Sequence, residues 1–248
     1  MKMCIVTAHA GADCLDEAIT SWTGEVQFPL LMGMNTNYFA INSKPPVFVL
    51  GGEAGMLPAY QSGFKACSSY DIIAYIHDDV ILHDEFWHEK VLKEFEDPAV
   101  GVVGFGGALG HGDPRMYKTP YDYRQLARRE FMSNMRDAEA HGQRFAGSRD
   151  CAVLDGFAVI VRREVLDKVG GWPIQTPLGY ACYDYWLCCM ARRLGYRIRV
   201  VGVACDHLGG QTFVKLGIGK DPKHWEQYVE SHRYIYDEFK DVLPFEVF

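Results

Sequence analysis

The sequence predicts an α/β fold of three layers around a mostly parallel sheet. Two observations carry that expectation. Short apolar runs, MCIVTA at 3–8, DIIAYI at 71–76 and AVGVVGFGG at 99–107, read as buried strands. Between them, through residue 107, lie helix-patterned segments, and strand–helix alternation is the mark of a sheet covered by helices. With 248 residues, 48% of them hydrophobic and 23% charged, the chain can bury a full core as one large domain or two small ones.

The elements follow in order. MCIVTA is the first strand, and DCLDEAITSW (13–22) reads as a helix. Residues 26–33 and VFVL (47–50) are further strands. GGEAG (51–55) is a turn before a helix over LPAYQSGFKACSS, with Pro58 near the first turn, where proline is tolerated. DIIAYI then runs into His77, Asp78 and Asp79. Asp84 is placed to cap a helix over 85–96, where Trp87, Val91 and Phe95 recur every four residues and Pro98 lies just beyond. Residues 108–150 are polar, with six arginines from Arg124 to Arg149, and are expected to be mobile or to face an acceptor. AVLDGFAVIVRR (152–163) is a strand pair, or one strand interrupted at Asp155 and Gly156, followed by a helix over 164–169 and a turn at Gly170–Trp172. Asp184 opens a helix with a buried stripe of Trp186, Leu187, Met190, Ala191 and Leu194, ended by Gly195. YRIRVVGVACDH (196–207) is a strand, and 222–239 is a last helix.

Charge and composition exclude some roles. A net charge of −7 argues against broad binding to nucleic acid or anionic membrane. No stretch approaches the roughly 18–20 apolar residues of a spanning helix. The N-terminus shows no secretory signal pattern. The eight cysteines form no CxxC pair, and several lie in apolar runs, where a reduced thiol behaves as a small hydrophobe. A cytoplasmic protein is expected.

The chemistry is sought at strand ends, because open α/β sheets bind ligands beyond the carboxyl ends of their strands. His77, Asp78 and Asp79 sit at such an end. Hard cations take carboxylate oxygens and share open positions with phosphates. The competing readings are a solvated loop and a histidine metal site of His77, His83 and His88, though His83 and His88 stand five apart and no HExxH is present. GGEAG lacks the GxGxxG and GxxxxGK[ST] spacings, but a helix N-terminus following it can face a phosphate. Asp184 is either a helix N-cap or a general base. Its helix dipole would lower its pKa, and a neighbouring anion would raise it.

The order of these pieces resembles the family 2 glycosyltransferases. In that family a Gly-x-x-x-x-x-Asn-x-Gly helix precedes a strand ending in Asp-Asp-Asp or Asp-x-Asp. Here GGEAGMLPAYQSGFKACSSYDIIAYIHDDVI (51–81) supplies Gly55, Gln61 and Gly63, then His77, Asp78 and Asp79. LDGFAVIVRREVLDKVGGW (154–172) is similar to the family's Asp-Gly strand, helix and Gly-Gly-Trp turn. YDYWLCCMARRLGYRIRVVGVACDHLGG (183–210) is similar to its Glu-Asp helix, Gly-Tyr-Arg-Ile strand and final histidine. His77 stands for the first aspartate of the acidic motif, Tyr183 for the glutamate and Gln61 for the asparagine.

The resemblance implies the GT-A (Rossmann-like) fold with a small antiparallel extension, as a single domain over 1–248. Residues 1–107 would form the nucleotide-sugar half, 108–210 the acceptor and catalytic half, and 211–248 a helical tail. It implies transfer of a hexose or pentose from a nucleotide-diphosphate sugar, with Mn²⁺ or Mg²⁺ and inversion of the anomeric centre. Asp79, His207 and His77 would hold the metal, and Asp184 would deprotonate the acceptor hydroxyl. Donor contacts would come from Thr7, Ala8, His9, Gly51, Gly52, Gly55, Gln61, Asp78, Asp155 and Gly156, with Asn35 or Asn37 near the base. A glycan, lipid-linked sugar, protein, metabolite or modified nucleic-acid base would be the acceptor. The alternatives are a sugar nucleotidyltransferase, a non-catalytic nucleotide- or sugar-binding protein, and a metallohydrolase.

Overall fold

The structure is a computed structural model. It describes residues 1–9, 13–24, 30–32, 38–41, 43–51, 55–112, 131–136, 143–179, 181–209 and 222–247. Most of the arginine-bearing stretch, Gly52, Asn35 and Asn37 lie outside the described residues.

The centre is a nine-stranded sheet in the order β11-β14-β7-β13-β5-β1-β4-β3-β2. Its strands are β1 (Met3–His9), β2 (Leu30–Met32), β3 (Tyr38–Ile41), β4 (Val47–Gly51), β5 (Ile72–Ile76), β7 (Val100–Gly104), β11 (Ser148–Asp150), β13 (Ala158–Arg162) and β14 (Arg197–Val201). β4, β1 and β5 run parallel, as do β7 and β14, while β13 runs antiparallel between β5 and β7. Every residue of β5 and β7 is buried. Both faces of the sheet are therefore covered, which makes three layers and explains why these strands read as unbroken apolar runs.

The helices are α1 (Leu15–Thr23), α2 (Met56–Ala66), α3 (Trp87–Glu94), α4 (Arg163–Val169), α5 (Tyr183–Arg193) and α6 (Pro222–Glu238). α2 lies so close to β1 that a Cβ on Gly63 would stand 2.5 Å from Val6 Cγ1. α1 is tied to β6 (Val80–Leu82) by Trp22 Nε1 donating to the Val80 carbonyl at 2.8 Å and by the Leu82 amide donating to Ser21 Oγ at 2.9 Å. Small antiparallel sheets stand outside the main one: β15 (Cys205–His207) on β6, and β10 (Phe131–Ser133) with β12 (Val153–Leu154) on β8 (Gly106–Ala108). A third pairs β16 (Phe245–Glu246) with β9 (Gly110–His111). One continuous cluster of buried apolar side chains runs from Met3 to Leu243. Among the described residues no helix is long and apolar enough to cross a membrane.

Three expected elements differ. The strand expected over 196–207 is split, because residues 205–207 leave the main sheet to pair with β6. The stretch 99–107 is likewise two strands, β7 and β8. The helix expected over 85–96 begins at Trp87, since Asp84 closes a turn by accepting the Phe86 amide at 3.2 Å instead of capping the helix.

Candidate active site

Parallel strands bring their carboxyl ends to one edge of the sheet, and the site is built there. β1 ends at His9, β4 at Gly51 and β5 at Ile76. Because β13 runs the other way, its first residue, Ala158, pairs with Ile76, and the Asp155–Gly156 turn lands beside His77. The His77 amide donates to the Phe157 carbonyl at 2.9 Å, which locks the two strand ends together.

β5 turns directly into β6, and the turn carries Asp78 and Asp79. Both are nearly buried, at 6% exposure each. Burying two adjacent carboxylates is costly unless each finds a partner. Asp78 has one: its Oδ2 lies 2.9 Å from His9 Nδ1. Asp79 is different. Its Oδ1 is buried without a hydrogen bond and stands 3.4 Å from His207 Nε2, too far for a formed one. The antiparallel pairing of β15 with β6 places His207 opposite Val80, and the Leu208 amide donates to the Asp79 carbonyl at 3.0 Å. Phe157 stacks on the His207 ring with centroids 5.1 Å apart.

His77, Asp79 and His207 thus converge, with one donor atom from each within 4.8 Å of the others. Burial and the His207 ring push His77 down to about 4, so its ring is neutral and offers a lone pair near neutral pH. Burial alone would raise Asp79, but the two histidines outweigh it and hold the carboxyl below its ordinary value. A buried carboxylate oxygen lacking a hydrogen bond, set between two imidazoles, is a donor set that fits a divalent transition metal.

The competing histidine cluster of His77, His83 and His88 is not assembled among the described residues. His83 instead bonds Asp206 Oδ2 at 2.8 Å, and Arg136 holds the other oxygen of that carboxylate at 2.8 Å. Asp206 and His207 are neighbours on one strand, so their side chains leave on opposite faces and only His207 reaches the site.

The other wall comes from α5. Asp184 is the second residue of this helix and not its cap; the cap position is Cys182, at φ 63° in the left-handed region. Asp184 Oδ1 accepts the Tyr185 amide at 2.9 Å. Burial first, and the neighbouring Asp155 carboxylate second, lift Asp184 to about 7 against the backbone N–H groups that pull it down. Gly156 lies against this helix, and a Cβ there would stand 2.3 Å from the Tyr183 hydroxyl oxygen and 3.2 Å from Asp184 Oδ2. Only glycine lets the strand turn and the helix meet this closely.

The remaining expected donor residues are spread along the edge. Ala8 and His9 are half-buried and Gly51 is exposed, with Gly51 opposite His9 in register. Thr7 is fully buried, so it lies beneath the surface of the edge. Gly55 holds φ 100° at the start of α2. Gln61 Oε1 is taken by the Trp172 amide at 2.8 Å, which pins the Gly-Gly-Trp turn to α2. Sequence reasoning did not single out Phe157, which directly follows Asp155 and Gly156, or the pairing of His9 with Asp78. It noted Tyr183 only as a substitution.

A model of the glycosyltransferase-like family matches residues 39–230. Among curated proteins none matches the chain. Solved structures do. A197 from STIV superposes at TM-score 0.50 with 12% identity, covering 84% of this chain and 86% of that one. A mannosyltransferase from Pyrobaculum calidifontis, in complex with GDP-Man and Mn²⁺, gives 0.51 with 13% identity over 94% of this chain and 69% of its own. GalNAc-T7 with UDP, GalNAc and Mn²⁺ gives 0.51 with 12% identity over 97% of this chain, which spans 50% of that structure. At these identities the likeness concerns the fold, while the family match extends over most of the sequence. The chain has the GT-A α/β fold and belongs to the glycosyltransferase-like family.

Proposed function

We propose that this chain transfers a hexose or pentose from a nucleoside-diphosphate sugar to an acceptor hydroxyl, with His77, Asp79 and His207 holding a divalent cation. The observation that carries the reading is the buried Asp79 Oδ1, without a hydrogen bond, between two imidazoles. Two nitrogen donors and one oxygen favour Mn²⁺ over Mg²⁺, which prefers oxygen alone. When bound, the cation would offset charge on the departing nucleoside diphosphate. Mn²⁺ is also what accompanies GDP-Man and UDP in the similar mannosyltransferase and GalNAc-T7 structures.

The chain's own groups do the rest. His9 orients the Asp78 carboxylate at the edge where the nucleoside diphosphate would lie. Asp184 removes the acceptor proton as the hydroxyl oxygen attacks the anomeric carbon. A carboxylate raised to about 7 is a stronger base than an ordinary one and is still ionised in part at neutral pH. A binding protein or a nucleotidyltransferase has no need of such a base, and this favours a transferase. Attack from the face opposite the leaving group would invert the anomeric centre. All eight cysteines are free thiols, which supports a reducing compartment such as the cytoplasm.

The test is thermal stabilisation by UDP, GDP, dTDP and CDP, with and without Mn²⁺, on wild type and Asp79→Ala. A nucleotide at about 100 times its Kd stabilises by about 2.7 kcal/mol, or roughly 5–10 °C for a chain of this size. The expected outcome is a Mn²⁺-dependent shift with one base, lost in Asp79→Ala. A shift that survives in Asp79→Ala, or none with any nucleotide, overturns the reading.

A further inference from the structure

We infer that Tyr183 is a positioning residue that fixes the tautomer of His77, so that His77 meets the cation through Nδ1 and never through Nε2. The inference rests on the reading that His77, Asp79 and His207 hold a divalent cation, and it adds which nitrogen binds and what holds it there.

The argument is one of proton counting. The Tyr183 hydroxyl stands 2.9 Å from the Gly156 carbonyl and 2.6 Å from His77 Nε2. It has one proton. A carbonyl oxygen can only accept, so the tyrosine proton goes to Gly156. The short contact to His77 is then a hydrogen bond only if Nε2–H donates to the tyrosine oxygen. A neutral imidazole carries one N–H, and with the proton on Nε2 the lone pair is on Nδ1. The hydrogen bond made by one ring nitrogen decides which nitrogen is left for a metal.

Tyr183 is held rigidly enough to impose this. It is 3% exposed. Tyr60 packs edge-on to its ring at 5.6 Å and Trp172 at 6.0 Å, and Gln61 pins the Trp172 amide. Gly156 has no side chain, which lets the hydroxyl lie against its backbone; a Cβ there would stand 2.3 Å from the hydroxyl oxygen. The same residue precedes Asp184 on α5, so one side chain connects the cation's ligand, the Asp155–Gly156 turn and the base.

Two measurements test this. In the metal-free wild-type protein, ¹⁵N NMR of the histidine rings above the ordinary imidazole pKa, with His77 assigned by its loss in His77→Gln, is expected to show the proton on Nε2 and a bare Nδ1. A proton on Nδ1 overturns the inference whatever the metal does. Mn²⁺ affinity, read by the electron paramagnetic resonance of free Mn²⁺, is expected to fall about 10–100-fold in Tyr183→Phe and to vanish in Asp79→Ala. Unchanged affinity in Tyr183→Phe with loss in Asp79→Ala overturns the positioning role alone. Affinity retained in Asp79→Ala overturns the cation reading instead. If Tyr183→Phe does not fold, the wild-type tautomer decides.

Discussion

Asp184 sits in the first turn of α5, where backbone N–H groups ordinarily keep a carboxylate ionised. Burial and the Asp155 carboxylate win, and the group rises to about 7. The sign of the consequence follows. Between the ordinary carboxylate value and 7 the folded protein holds a proton that the unfolded chain has released, so stability falls as pH rises through that window. Above it the whole cost is present. A shift from 3.8 to about 7 would cost about 4 kcal/mol, and partial contact with solvent reduces this to about 2 kcal/mol. Asp184→Asn keeps an acceptor for the Tyr185 amide and removes the charge. It is expected to abolish transfer while raising denaturant stability by about 2 kcal/mol above pH 7, with little gain near pH 4. Wild-type transfer should rise with pH about a midpoint near 7. Equal stability of the two proteins at alkaline pH would place Asp184 in solvent and remove the case for it as a tuned base.

At the scale of elements, the acidic turn depends on the helix packed beneath it. α1 holds β6 through Trp22, which is 2% exposed and donates to the Val80 carbonyl immediately after Asp79. Trp22→Phe leaves that carbonyl without its donor and a gap beside it. A loss of about 1–3 kcal/mol in urea denaturation is expected, with Mn²⁺ affinity falling as well. Loss of stability without any change in metal affinity would show that the turn holds its shape unaided. The strands and helices around this turn were largely legible in the sequence, because buried strands and amphipathic helices leave local patterns. β5 and α5 are examples. The break at residues 202–204 was not legible, since RIRVVGVACDH is apolar enough to read as one strand. Only the pairing of β15 with β6 requires the chain to leave the main sheet.

For the whole molecule, the question is whether the last helix belongs to the same cooperative unit as the sheet. Ile235 and Phe239 are fully buried in the continuous core, and Ser231 Oγ donates to the Pro177 carbonyl in the loop before α5. One domain over the full chain is therefore proposed. Phe239→Ala should cost about 3–5 kcal/mol and keep a single unfolding transition by fluorescence and circular dichroism. Two separated transitions would make the tail a unit of its own.

What the sequence by itself determined is the alternation of strands and helices, the placing of Asp78 and Asp79 at a strand end, the Asp155–Gly156 break and the helix bearing Asp184. Each is written in residues close together, where periodicity and turn chemistry act. Family resemblance pointed to His207 as the partner of His77, and local spacing left His83 and His88 only as a competing set. Tertiary structure brings His207 beside His77 and Asp79, because the partner is set by which strands pair across the sheet edge, and local pattern carries no record of sheet order. The same holds for Asp184. Its helix position favours a low pKa, and only the packing that buries it beside Asp155 lifts it to about 7. Tyr183 read as a departure from a familiar motif, and the fold shows it holding His77 and Gly156 together.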